Sequence, residues 1–172
     1  MINGMTDRTW QRASRKGLIE WVSNNYTHAI TLQPNYQVEP DKLCEMFGWF
    51  CLDVDRLMFG RKNVHKYVTG VRLQAIAFPE MLDGNPHLHG ACDFSRKHWQ
   101  HRLDKTWLDK LPIIWKRVAK NRYAECKISL IRDGGWGKYI TKDGVDFILA
   151  ADFHNPDRLR DRALDKVLSE LN

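Results

Sequence analysis

Apolar positions along the chain switch between a helical and a strand rhythm, and the switches mark the elements. Trp10, Ala13, Leu18 and Trp21 recur at roughly helical spacing within residues 7–23, behind Thr6 as a cap, and predict a first helix. Ala29 to Leu32 is a short β run ended by Pro34, and a helix follows from about Asp41 to Phe59. Val68 to Phe78 and Pro86 to Phe94 flank a loop holding Asp83-Gly84-Asn85 and read as an antiparallel hairpin. Trp99, Leu103, Trp107, Leu111 and Trp115 form one helical stripe, read as core rather than stacking platforms, which Pro112 splits or restarts. Glu125 to Ile131 is a strand, Gly135 to Lys142 a short helix and Val145 to Ala150 a last strand; Asn155 then caps a terminal helix with Pro156 at its first position. The order αβαββαβαβ, closed by that helix, has a hairpin at its centre, which excludes a purely parallel doubly wound sheet. The expected class is α+β, a central, largely antiparallel sheet with helices packed mainly on one face.

Composition changes this picture in two ways. A chain of 172 residues is the size of one domain, and 43% hydrophobic with 28% charged residues is a globular balance. No apolar run approaches the ~20 residues of a membrane span, and the basic N-terminus lacks a signal-peptide core, so a cytoplasmic protein with no membrane partner is expected. Cys44, Cys51, Cys92 and Cys126 form no CxxC pair and read as reduced thiols. The net charge of +6 is unevenly spread. Residues 61–142 hold 17 Lys+Arg against 7 Asp+Glu, whereas 1–60 hold 6 against 7 and 143–172 hold 4 against 7. A basic block confined to part of one domain points to a polyanion, and nucleic acid is the usual one.

Two patterns carry chemistry. In His87-Leu88-His89, strand alternation sends both imidazoles to one face and Leu88 to the other, which makes a two-nitrogen metal clamp. Antiparallel pairing brings the preceding strand beside it, so Glu80 at the hairpin mouth is the candidate third ligand, with Gln74 and Asp83 as alternatives. A mixed nitrogen and oxygen shell suits manganese, or less comfortably magnesium. Cys92 faces away from the pair. In the second pattern, Tyr139 and Lys142 are three apart on one helix face, where a cation can stabilise charge developing on the phenol. The GGWGK glycines do not have the spacing of a phosphate loop, so no ATPase is implied.

Each pattern alone is a common coincidence, but their order is informative. ITLQPN (Ile30 to Asn35), PHLHG (Pro86 to Gly90) and KYITKD (Lys138 to Asp143) resemble the three motifs of HUH endonucleases, particularly single-tyrosine rolling-circle replication initiator (Rep) proteins. The resemblance implies a ferredoxin- or RRM-like antiparallel sheet with metal and tyrosine on its exposed face. It implies that Tyr139 attacks a phosphodiester of single-stranded or hairpin DNA at a plasmid or viral replication origin. A reversible 5′-phosphotyrosine link and a free 3′-hydroxyl would result. His87, His89 and Glu80 would hold Mn2+ or Mg2+, and Lys142 would assist. No helicase domain follows, so a host helicase and polymerase would be partners. A single-strand transposase of the same superfamily and a non-catalytic DNA-binding module are the alternatives. A cupin-like metal enzyme is disfavoured by the number of helices.

The basic residues then acquire a role. Between Arg96 and Arg122, nine Lys and Arg face two Asp. Arg96 and Lys97, with Arg72, Lys127, Arg132 and Lys138 on or beside the strands and the tyrosine helix, are the expected DNA contacts. His28, His98, His101 and His154 gain no role from the sequence; His65 is the one to test for proximity to the pair.

Overall fold

All seven residues of the strand His87–Asp93 are buried. A strand covered on both faces belongs in the middle of a sheet. The computed structural model describes residues 11–12, 15–67, 70–80, 84–95, 105–142 and 146–154. Its elements are β1 (Gln11–Arg12), α1 (Arg15–Asn25), β2 (His28–Gln33), α2 (Pro40–Phe59), β3 (Gln74–Glu80), β4 (His87–Asp93), α3 (Lys105–Leu108), α4 (Lys110–Val118), β5 (Glu125–Leu130), α5 (Gly135–Ile140) and β6 (Asp146–Leu149), with 3-10 turns at Val64–Lys66 and Ala150–Phe153. The sheet order is β1-β6-β3-β4-β2-β5, and every neighbouring pair is antiparallel. This is the expected α+β class.

The sheet has two unequal cores. On one face Leu32, Ala77, Leu88 and Cys92 meet Phe47, Phe50 and Cys51 of α2 and Leu111 and Trp115 of α4. Trp115 is fully buried, and its indole nitrogen donates to the Gln33 carbonyl at 2.9 Å, so the large aromatic sits in the core without an orphaned polar atom. On the other face Leu18 and Val22 of α1 and Ile140 of α5 cover Ile76, Phe78, Ala91 and Phe147. The β2–β5 side of that second face, with Thr31, Gln33 and Lys127 aligned in register, carries none of these residues.

Several boundaries differ from the sequence reading. Gln11–Arg12 is a strand on the β6 edge rather than part of the first helix, because an unpaired edge offers backbone partners that a frayed helix start lacks. The strand before the hairpin begins at Gln74, not Val68, and runs on to Glu80. The break in the tryptophan-rich helix falls at Asp109. Pro112 then lies in the first turn of α4, where its missing N–H costs no helical hydrogen bond. The short helix ends at Ile140, leaving Lys142 just beyond it. Trp10, Trp99, His98, His101 and the terminal helix from Asn155 lie outside the described residues. The four cysteines are free, and Cys92 points into the larger core as alternation requires. Among the described residues no helix is long and apolar enough to cross a membrane.

Candidate metal and nucleophile site

Register alone places the first three groups. In the β3–β4 hairpin Glu80 pairs directly with His87 and Phe78 with His89, so Glu80 projects on the same face as both imidazoles. Gln74 pairs with Asp93 at the far end of the hairpin and is not near the pair. Asp83 lies outside the described residues. The His87 and His89 Nε2 atoms are 3.0 Å apart, and Glu80 Oε2 is 3.4 Å from the first and 3.1 Å from the second.

Three electron-rich atoms aimed at one point repel each other unless a proton on His89 Nε2 or a cation sits among them. Donors about 2.1 Å from one ion at right angles lie about 3.0 Å apart, so this triangle fits one face of a six-coordinate divalent ion. Neighbouring groups fix the imidazoles for that task. His87 Nδ1 donates to the Asn85 carbonyl at 3.0 Å, which leaves its Nε2 as the acceptor or ligand nitrogen. Thr31 Oγ1 is 3.1 Å from His89 Nδ1. Burial first, and the neighbouring His87 second, lower His89 to about 4 against the pull of Glu80. His89 is therefore neutral at neutral pH, the form that binds metals.

The tyrosine reaches this triangle from α5, which packs on the same sheet face as the histidines. Gly137 packs against the α1 backbone, where a Cβ would lie 3.0 Å from the Ile19 carbonyl oxygen, so glycine lets α5 lie this close to α1 without a tight contact. Ile140 anchors α5 in the smaller core, and Trp136 Nε1 donates to the Gly90 carbonyl of β4 at 2.9 Å. Trp136 and Tyr139 stack, with centroids 5.3 Å apart and planes at 21°. Tyr139 Oη consequently lies 3.4 Å from His89 Nε2, while the side chain stays 43% exposed and open to a large substrate. Lys142 Nζ sits 4.5 Å over the Tyr139 ring and 3.2 Å from Glu80 Oε1, joining the phenol to the carboxylate.

The sequence missed the supporting groups. Thr31 and Gln33 belong to ITLQPN, and cross-strand pairing sets Thr31 opposite His89. Gln33 donates to Asn85 Oδ1 at 2.9 Å, bracing the residue whose carbonyl holds His87. Trp136 lies three residues before Tyr139, a spacing that predicts contact on a helix.

The expected DNA contacts divide. Arg72 is a correction: its guanidinium is buried, with Nε 2.8 Å from Asp55 Oδ2, and serves the larger core instead of a ligand. A buried carboxylate on α2 needs a cation, and Arg72 is placed to be it. Lys127 is exposed, lies opposite Thr31 in register and pairs with Glu125 at 3.1 Å. Arg132 and Lys138 are exposed near α5, whereas Arg96 and Lys97 lie outside the described residues. His65 is exposed on the 3-10 turn after α2 and is not in the cluster. His28 is half-buried against Phe94. No family model matches the chain, and neither a curated protein nor a solved structure matches it.

Proposed function

We propose that the chain nicks and rejoins single-stranded or hairpin DNA through a covalent phosphotyrosine, as a replication initiator would. One observation carries this reading: a half-exposed tyrosine whose phenolic oxygen lies 3.4 Å from an imidazole of a His-His-Glu donor triangle.

His87, His89 and Glu80 would hold the divalent ion, and a bound Mn2+ or Mg2+ would supply Lewis acidity at the scissile phosphate. Tyr139 Oη attacks phosphorus, its proton passing to water at the exposed edge, while the bond from phosphorus to the 3′-oxygen breaks. That oxygen leaves as a free 3′-hydroxyl, taking a proton from water, and the 5′-phosphate stays on Tyr139. Attack by a 3′-hydroxyl reverses the step, because one phosphodiester has been exchanged for another. The Lys142 ammonium over the ring stabilises negative charge as it develops on the phenol. Lys127, Arg132 and Lys138 attract the backbone, giving a binding term that weakens with salt. In this reading the chain works in the cytoplasm of a host cell, which supplies helicase and polymerase.

The test is a denaturing gel of the protein with labelled single strands and hairpins carrying a randomised centre, in Mn2+ and then in chelator. A shifted, label-bearing protein band is expected in Mn2+ and absent with chelator. Tyr139→Phe should abolish the band yet retain strand binding. An adduct that persists in Tyr139→Phe overturns the assignment, and binding with no adduct in any condition favours a non-catalytic DNA-binding module.

A further inference from the structure

Away from the phenol, the turn between α4 and β5 presents an aromatic ring to solvent on a rigid support. Tyr123 is 64% exposed, one of the largest exposures of any aromatic among the described residues, and the Arg122 guanidinium lies 4.6 Å from its ring centroid. An unconstrained surface tyrosine would fold back onto apolar neighbours. Here the backbone is held from several sides. Asn121 Nδ2 donates to the Pro34 carbonyl at 2.8 Å, and Asn121 Oδ1 accepts from the Tyr123 amide at 3.0 Å. Asn35 Nδ2 donates to the Tyr123 carbonyl. Asn35 (φ 60°) and Lys120 (φ 52°) both occupy the left-handed region without being glycine, a cost that the surrounding hydrogen bonds sustain.

The turn also has a defined place relative to the donor triangle. Two residues after Tyr123, Glu125 pairs with Gln33; Gln33 donates to Asn85, and the Asn85 carbonyl holds His87. Tyr123 and His87 thus lie at the same end of the sheet. Lys116, Lys120 and Arg122 are exposed around the turn. A rigid exposed ring beside a guanidinium, amid cations, matches the chemistry that stacks a nucleobase and pairs its phosphate.

We propose that Arg122 and Tyr123 form a stacking platform for one base of a single-stranded nucleic acid whose backbone continues toward Tyr139. The platform rests on the single-strand reading given above, and it adds a contact that the nicking chemistry itself does not require. Fluorescence anisotropy of labelled oligo-dT in chelator measures binding with cleavage stopped. Tyr123→Ala should weaken binding roughly ten-fold or more, while Tyr123→Trp retains it. Arg122→Ala should weaken it and reduce the salt slope by about 1. Oligonucleotides carrying 5-iodouracil should photo-cross-link to the Tyr123 peptide of the unaltered chain, a readout that needs no variant to fold. Wild-type binding by Tyr123→Ala, or cross-links that map only elsewhere, overturns the platform alone. If the unaltered chain binds no single strand, the nicking reading falls and the platform falls with it.

Discussion

Single side chains govern whether the donor triangle can hold an ion. Thr31 Oγ1 meets the far nitrogen of His89, so Thr31→Val keeps all three donors and removes the group that orients one of them. Manganese affinity, read by electron paramagnetic resonance of free Mn2+, should fall about 10- to 100-fold. Glu80 has two tasks, facing the imidazoles with one oxygen and Lys142 with the other. Arg72 is the residue where sequence reasoning failed. A basic residue beside a strand reads as a phosphate contact, and nothing local reveals that Asp55, 17 positions earlier, would claim it in the core. Arg72→Met should leave Asp55 as a buried charge without its cation and cost about 3–5 kcal/mol in urea unfolding. The folded fraction should bind oligonucleotide as before; a clear loss of affinity at unchanged stability would restore Arg72 as a DNA contact.

Between elements, the site depends on close approach. At Gly90 an added Cβ would lie 2.3 Å from the Ile76 backbone oxygen and 3.2 Å from Ile30. Gly90→Ala must therefore push β3 from β4, the two strands that carry Glu80 and the histidines. We expect a lower melting temperature together with weaker manganese binding, whereas destabilisation with normal metal affinity would mean that the hairpin mouth is insulated from the strand centre. The hairpin was legible from two strand-like runs either side of Asp83-Gly84-Asn85, but its register was not, because the loop length allows a shift of a residue or two that only the fold resolves. Nor was the position of α5. Its six residues show a Tyr and a Lys at helical spacing but give no hint that Trp136 would dock on the Gly90 carbonyl and Gly137 on α1.

Across the molecule, two histidines couple folding to pH. Burial, with the Arg72 charge adding, lowers His154 to about 3, and His89 stands near 4. Arg72 already balances Asp55, so the carboxylate 3.7 Å from His154 gives it no compensating pull. In the unfolded chain both rings take a proton near pH 6.5. Stability is therefore fully present above that pH and declines as pH falls toward 3–4, because the unfolded state binds protons that the fold refuses. The urea midpoint should drop on acidification from pH 7 to pH 5, and His154→Gln should flatten the drop; equal slopes would contradict a neutral buried His154. An ion held by the donor triangle would act in the other direction. Manganese should raise the melting temperature of the unaltered chain with rising concentration but leave Glu80→Gln nearly unmoved.

The sequence by itself determined most of the order of elements, the antiparallel hairpin and the shared face of His87 and His89, because these follow from periodicity and turn chemistry within some twenty residues; the register of the hairpin chose Glu80 over Gln74 as the group beside them. The sequence also determined that Trp107 and Trp115 would be core. Only the tertiary structure decided which basic residues face solvent, that Thr31 and Asn85 would fix the imidazoles, and that Tyr139 would come within 3.4 Å of His89 from 50 positions away. Apart from the Asn85 contact, which is local to the hairpin, those outcomes are set by cross-strand register and by how helices pack on the two sheet faces. Packing depends on the shapes of residues distant in the chain, and no local pattern encodes it.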